Sequence, residues 1–226
     1  MGGGETLVVF KHDEPAGGDV DVTTISHRAV RPLAGLSVDY EAALQGGKTA
    51  GKNQQAWAIH LGVSKALGSG TRGFAELNAA SGGGDADTVR TFDNLYPANH
   101  NKYGISDLQG WRNMNELAVG VEFTPVKDAK LTASYRILRL ADARDAWYGA
   151  GGAPNKRAGG VFVDPTGASG RDVGAEWNLD ASYKLSSLWT VNGGLAVFTP
   201  GGFVKSVNGG HGDQLTWGYV QLSAKF

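Results

Sequence analysis

The chain ends in a segment whose apolar and polar residues alternate without interruption up to its last residue, Phe226. From Val220 the order is Val-Gln-Leu-Ser-Ala-Lys-Phe, so all the large apolar side chains fall on one face of an extended strand. Chain termini usually fray, and a water-soluble protein rarely ends on an apolar strand. The pattern therefore predicts a final strand, 215–226, that is held along its length and ends in an aromatic residue.

The same alternation recurs along the chain, most clearly over 173–184. One face of that segment is apolar and includes Trp177 and Leu179, whereas the opposite face carries Glu176 and Asp180. Ten such segments are predicted, each near the length of a tilted strand that crosses a bilayer. They span 5–11, 20–31, 36–46, 54–66, 72–81, 116–125, 130–141, 173–185, 188–199 and 215–226.

The connections between these segments alternate in length. Short connections are predicted near 32–35, 67–71, 125–129 and 185–188, and longer ones near 12–19, 47–53, 82–115, 142–172 and 200–214. Outer-membrane barrels have short periplasmic turns and long extracellular loops, and this assignment puts every long connection outside when Phe226 is periplasmic. The predicted fold class is therefore all-β: an antiparallel transmembrane β-barrel, with about ten strands in this chain and no domain boundary within 1–226.

Composition agrees with this fold and excludes several kinds of function. The mean hydropathy of −0.23 does not argue against a barrel, because only every second residue of a barrel strand faces lipid. The absence of Cys excludes disulfides and thiolate metal sites, and a formal net charge of −1 gives no reason to expect a nucleic-acid partner. The His residues lack metal-ligand spacing, and nucleophile-elbow and phosphate-loop motifs are absent, so we predict no metal, no cofactor and no enzymatic activity.

Two loop segments carry a more specific signal. The first contains Tyr-Pro-Ala-Asn-His at 96–100, followed by Gly-Trp-Arg at 110–112. The second, at 140–148, reads Leu-Ala-Asp-Ala-Arg-Asp-Ala-Trp-Tyr. Both resemble the alginate export family of outer-membrane barrels, which has a tyrosine-proline-x-asparagine-histidine loop followed by glycine-tryptophan-arginine. The resemblance covers 85–226 well and the earlier part of the chain loosely.

The resemblance implies a monomeric barrel of roughly eighteen strands in the cell outer membrane, in contact with its lipid. Its pore would pass an anionic polysaccharide, an alginate-like polyuronate, through a constriction lined by Arg and Lys. On this expectation the chain is the C-terminal part of a longer barrel, and the alternative is a small barrel closed by the ten strands alone. Periplasmic secretion proteins are candidate partners.

The candidate pore residues are cations and one aromatic residue. Arg binds carboxylates bidentately and stays charged, and several weak sites favour conduction. The phase of its strand directs Arg136 to the lumen, where a structural ion pair is an equal alternative to pore lining. The phase of Arg139 directs it to lipid unless the strand bulges or has reached the interface, so its pore role rests on the resemblance. The full set is Arg136, Arg139, Arg144, Arg112, Lys102, His100 and Trp111.

Two other functions stay open at this point. The predicted lumen face carries more acidic than basic residues, which suits a general porin for small solutes or oligosaccharides. A soluble β-sandwich that binds carbohydrate is an alternative of a different class. It predicts that the folded chain stays monodisperse in water without detergent.

Overall fold

The computed structural model describes residues 3–96 and 102–225. Its ten long strands correspond one to one to the ten predicted segments. They are β1 Gly4–Asp13, β2 Val20–Leu33, β3 Leu36–Thr49, β4 Lys52–Gly68, β5 Thr71–Ala80, β7 Met114–Phe123, β8 Ala129–Arg139, β11 Asp172–Lys184, β12 Trp189–Pro200 and β13 Leu215–Ala224. Short strands β6 Thr88–Val89, β9 Lys156–Arg157 and β10 Gly160–Val161 lie in the connections. The predicted closing aromatic residue, Phe226, lies outside the described residues.

The ten long strands form one antiparallel sheet in which each strand pairs with its neighbours in chain order. The two-residue strand β6 pairs with β4 in parallel. Within the described residues, β1 pairs only with β2 and β13 only with β12, so the sheet is not closed. The all-β antiparallel prediction is confirmed, whereas closure and the strand number of a complete barrel stay predictions.

The two faces of the sheet have opposite character, as strand alternation requires. The outer face exposes large apolar side chains: Leu61, Leu117 and Trp177 are 45%, 50% and 60% exposed. The inner face, which the long connections cover, carries small and polar residues such as Asn78, 1% exposed, and Ala118, fully buried. Soluble monomers rarely expose so many large apolar side chains on one continuous face, so the outer face favours contact with lipid.

The sheet is strongly curved around its inner face. Tyr103 lines one pocket together with Leu7 of β1 and Glu41 of β3. Only two residues later, Ile105 reaches Gly194 of β12, where its Cδ1 atom would lie 2.8 Å from a Cβ at that glycine. In a flat sheet, β3 and β12 would be roughly 30 Å apart, because six strand spacings separate them. Two residues span far less than that, so the inner face is concave.

One predicted connection is wrong in length. The segment 47–53 was expected to be a longer loop, but β3 and β4 run on in register from Gly46 to Thr49 and from Lys52 onward, and they are joined by the two-residue turn 50–51. Gly46 and Gly47 suggested a loop, yet both pair with β2. Gly47 has φ +136°, and a Cβ there would lie 2.1 Å from the Asp21 carbonyl oxygen, so glycine is required within the strand. The other long connections fall where they were predicted.

The connection 140–171 has an apolar core of its own. The Trp147 ring, 3% exposed, lies 5.7 Å from the Phe198 ring and 5.4 Å from the Phe162 ring, and its Nε1 donates to Gln109 Oε1 at 3.0 Å. The short helix α1, Gly202–Val207, adds Phe203 to the same cluster. These contacts fix the loop against the ends of β8, β11 and β12. Across the described ranges, no helix is long and apolar enough to span a membrane.

Candidate functional site

The segment 102–113, from the connection between β5 and β7, lies across the concave inner face. The Ile105 N–H donates to Asn178 Oδ1 of β11 at 3.0 Å. The Leu108 carbonyl accepts a hydrogen bond from Asn155 Nδ2 at 2.8 Å, which joins the segment to the 140–171 connection. The segment therefore occupies part of the space that a barrel of these strands would enclose.

Arg136 of β8 is the centre of a buried polar network under this segment. The residue is 6% exposed, and its Nη1 donates to Glu116 Oε1 of β7 and to the Lys102 carbonyl oxygen, both at 2.6 Å. Glu76 Oε2 of β5 lies 3.5 Å from the same nitrogen. One guanidinium thus joins the strands to the segment. Removing one member of such a pair would leave a buried charge without its partner.

Asn78 and His60 extend the network toward β3. Asn78 Nδ2 donates to Glu116 Oε1 at 3.2 Å, and its Oδ1 lies 2.7 Å from His60 Nδ1. His60 Nε2 lies 2.6 Å from Asp39 Oδ1. Both ring nitrogens of His60 face oxygen atoms, so the imidazole of β4 bridges Asn78 of β5 and Asp39 of β3.

Glu176 of β11 holds the segment from the other side. It is 1% exposed, and the Ser106 hydroxyl donates to its Oε2. Gly104 has φ +104°, and a Cβ there would lie 2.4 Å from Glu176 Oε1. Glycine at this position lets the backbone pass close to the carboxylate. We call Asn78, Glu116, Arg136 and Glu176, with their contacts to 102–106, the clamp network.

Beyond the clamp network, on the side of the short β5–β4 and β7–β8 turns, the inner face opens into a cavity of about 450 Å³. Arg72 Nη2 of β5 and Lys130 Nζ of β8 both contact Glu122 Oε2 of β7, at 3.4 Å and 2.5 Å. The Arg72 and Lys130 side chains are 48% and 55% exposed. These three side chains together carry a net charge of +1, in a cavity that Glu76 and Asp180 also line. We call this space the open cavity.

A second cluster with two cations and one carboxylate lies in the connection between β5 and β7. Asp93 receives Lys11 Nζ of β1 at 2.7 Å and Arg112 Nη1 at 3.5 Å. The Arg112 guanidinium also lies over the Tyr148 ring, 4.7 Å from its centroid. This cation–π contact gives Arg112 a partner that a passing anion would have to displace.

Asp145 ties the two long connections together. Its carboxylate accepts hydrogen bonds from the Gly83 N–H at 2.8 Å, the Thr91 hydroxyl at 2.5 Å and the Tyr148 hydroxyl at 2.8 Å. Burial, reinforced by the neighbouring Asp145 charge, raises the pKa of the Tyr148 phenol above its ordinary value. Tyr148 therefore stays a hydrogen-bond donor well into the alkaline range.

The residues predicted to line a pore do not lie together. Arg136 is in the clamp network and Arg112 is in the Asp93 cluster, as described above. The Lys102 side chain is exposed, while its carbonyl receives Arg136. Trp111, 8% exposed, packs between Phe92 and Tyr103, with ring centroids 5.6 and 6.4 Å away, and is closed to sugar stacking in this conformation.

The remaining predicted pore residues lie at or beyond the loop end of the sheet. Arg139 is the last residue of β8, exposed on the side of Ile137, so it has reached the end of the strand. Arg144 is exposed in the 140–171 connection, and its N–H donates to Asp142 Oδ1 at 2.8 Å. His100 lies outside the described residues.

Sequence reasoning missed the cations of the open cavity and of β1. Arg72, Lys130 and Lys11 each belong to a correctly predicted strand and have the inner-face phase, so strand phase alone could have identified them. The loop motifs drew attention to Arg112 and Arg144 instead. Among residues 3–96 and 102–225, no group of three or more His, Cys, Asp or Glu side chains is arranged to hold a metal ion.

The comparisons with known proteins agree with this architecture. The family model described as alginate export matches residues 12–217, which is most of the chain. No curated protein matches the sequence significantly. Alginate is a polysaccharide, so the activity shown at family level is polysaccharide export, which is transport and not enzymatic chemistry. With a curved antiparallel sheet, an apolar outer face and a charged inner face, the chain belongs to the alginate export family of outer-membrane β-barrels.

Proposed function

We propose that this chain forms the wall of a monomeric outer-membrane channel, and that the channel exports an anionic polysaccharide. The observation that carries the proposal is the shared Glu122 carboxylate in the open cavity. Arg72 and Lys130 both contact it and both stay about half exposed, at 48% and 55%. A carboxylate of a passing polymer could take the place of Glu122 at either cation without leaving a charge unpaired.

The Asp93 cluster, nearer the long connections, also has two cations and one carboxylate. A polymer would therefore meet two positive clusters in succession, with Lys11 and Arg112 at the second. Several weak sites of this kind suit conduction better than one tight site. The exposed side chain of Lys102 belongs to the same part of the inner face. Of the residues predicted from sequence, we propose that Arg112 and Lys102 contact substrate, and that Arg136 contributes through the clamp network.

The apolar outer face supports the membrane location. Leu117, Trp177 and Val220 are 50%, 60% and 83% exposed on strands at the middle and at the end of the sheet. The cost of exposing this surface to water favours lipid as its surroundings. A folded chain that is monodisperse in water without detergent would contradict the proposal and favour a soluble carbohydrate-binding module.

The test is block of single-channel current in a planar bilayer by added polyuronate. Wild-type protein is expected to be blocked by polyuronate far more strongly than by a neutral polymer of the same length, such as dextran. The double variant Arg72→Met, Lys130→Met should lose roughly tenfold in polyuronate affinity, since each cation contributes one charge-assisted contact. Arg144→Met, an exposed loop cation, is the matched control. Failure of polyuronate to block the wild-type channel would refute an anionic substrate.

One observation favours a general porin as a second candidate. The open cavity is lined by three acidic residues, Glu76, Glu122 and Asp180, as well as by three basic ones. A balanced lining selects weakly by charge. Equal block by polyuronate and dextran would favour this candidate.

A further inference from the structure

An aromatic ring on the inner face lies over a glycine of the neighbouring strand. Tyr219 of β13 pairs directly with Gly194 of β12. A Cβ at Gly194 would lie 2.4 Å from Tyr219 Cε1 and 3.1 Å from Cδ1, so the ring occupies the place that a side chain would otherwise fill. Glycine within a strand marks such a close approach, and aromatic cover of a strand glycine is a recurrent device of sheets.

The same construction occurs once more across the open cavity. Phe74 of β5 pairs directly with Gly120 of β7, and a Cβ at Gly120 would lie 2.4 Å from Phe74 Cζ. Arg72 covers that ring, with its guanidinium carbon 5.8 Å from the centroid. Both rings line the open cavity. The Phe74 ring supports a cation, and the Tyr219 ring has the Trp217 ring beside it, with centroids 5.3 Å apart.

Polar groups surround the Tyr219 ring. Asp180 lies in the same cross-strand row as Gly194, and Ser182 and Asn192 pair in the next row. Asn178, 5% exposed, uses its Oδ1 for the Ile105 N–H, and its Nδ2 has no hydrogen-bond partner among the described residues. The Asn178 amide neighbours the Glu176 carboxylate, and the residue lines the open cavity.

We propose that Tyr219, over Gly194, is the stacking platform of a sugar-binding subsite in the open cavity. The apolar face of a pyranose ring would lie on the tyrosine, and its hydroxyl groups would meet Asn178, Ser182 and Asn192. Arg72 and Lys130, at the β5 and β8 side of the same cavity, would receive a carboxylate on that sugar or on the next one. The subsite rests on the proposed function, and it adds a contact that recognises the sugar ring itself, independent of its charge.

The experiment is calorimetric titration of the chain, refolded in detergent micelles, with two trisaccharides. One is a uronic acid trimer and the other is the neutral trimer maltotriose. Tyr219→Ala should weaken both by a similar factor of roughly three to ten, because stacking acts on the ring and not on the charge. Tyr219→Phe keeps the ring face and should bind both about as tightly as wild type.

Gly194→Ala tests the geometry without removing any group of the site. The new Cβ would displace the Tyr219 ring and would also press on Ile105 Cδ1, 2.8 Å away, and binding should fall as in Tyr219→Ala even though the tyrosine is still present. Tyr135→Ala is the control, because that ring packs on Trp177 on the outer face, with centroids 4.5 Å apart. Heat-modifiable migration on gels identifies variants that have folded, and Gly194→Ala and Tyr219→Phe decide the matter if Tyr219→Ala does not fold.

Three results would overturn the subsite. These are no binding of either trimer to wild type, unchanged binding in both Tyr219→Ala and Gly194→Ala, or a loss confined to the uronic acid trimer. Polyuronate block of the wild-type channel is measured separately. If block persists while the subsite fails, the proposed export function stands without it, and if block is absent the function fails whatever the trimers do.

Discussion

The clamp network and the open cavity use the same kinds of side chain in opposite ways. In the clamp network, Arg136 is 6% exposed and meets the Glu116 carboxylate and a loop carbonyl at 2.6 Å. In the open cavity, Arg72 and Lys130 are about half exposed and share Glu122. An inner-face cation is therefore structural where a loop covers it and available to a ligand where no loop does. Strand phase alone does not separate the two cases.

Substitution of Arg136 is the strongest test of this difference between the clamp network and the open cavity. Arg136→Met should lower the free energy of unfolding by about 3–5 kcal/mol, because it leaves Glu116 buried without its cation. Urea unfolding in detergent micelles measures the loss, and limited proteolysis reports release of 102–113. The control is Arg144→Met, which removes an exposed loop cation and should cost little. Arg136→Met with unchanged stability and unchanged proteolysis would show that Arg136 is not a structural residue.

A smaller loss of stability is expected from substitution of Gly104 in the segment 102–113. Gly104→Ala places a Cβ against Glu176 at a φ of +104°, and should cost about 1–3 kcal/mol with faster cleavage of the segment. Gly151→Ala is the matched control, since its φ is not positive and no atom lies within 4 Å of its Cβ position. Equal stability of the two variants would argue against close packing of the segment on β11.

Loss of one charge of an ion-pair cluster should cost little stability in the open cavity. Glu122→Gln removes the carboxylate shared by two exposed cations, and the stability should change by less than about 1 kcal/mol. Polyuronate block should strengthen in this variant, because Arg72 and Lys130 lose their resident anion. Bilayer recordings test the second point, and weaker block would contradict the idea that Glu122 competes with substrate.

The last prediction concerns alkaline pH and Tyr148 of the 140–171 connection. The raised pKa of Tyr148 stabilises the folded chain below the ordinary tyrosine pKa of about 10, and this contribution is lost as the pH rises toward the folded-state value. Tyr148→Phe should therefore lower the free energy of unfolding at pH 8 by about 1 kcal/mol, which is measured as a lower Tm. The difference from wild type should shrink above pH 10. Tyr96→Phe, whose side chain is 76% exposed, should show no such convergence.

The strands were predictable because their information is local. Alternation at 173–184 and 215–226 gave β11 and β13 to within a few residues, since a lipid-like outer face demands every second residue to be apolar. Where local signals had two meanings, prediction failed. Gly46 and Gly47 suggest a loop, but they are strand residues placed against β2, and only pairing reveals the difference.

The candidate site was less predictable because its members are far apart in the chain. The motif around Trp111 and Arg112 correctly indicated the family, but these residues pack against Phe92 and Tyr148 instead of facing the open cavity. The ion pair between Arg72 and Glu122, which are 50 residues apart, arises from the register of β5 with β7. No local pattern encodes that register.

The sequence by itself determined the strand order, the apolar outer face and the family, because these depend on periodicity and on contiguous motifs. The tertiary structure decided which inner-face charges are buried and which stay open, because that depends on where a long connection folds back across a curved sheet. The same fold placed Tyr219 over Gly194. A side chain meets its cross-strand partner only after pairing is complete, so this contact is absent from the linear pattern.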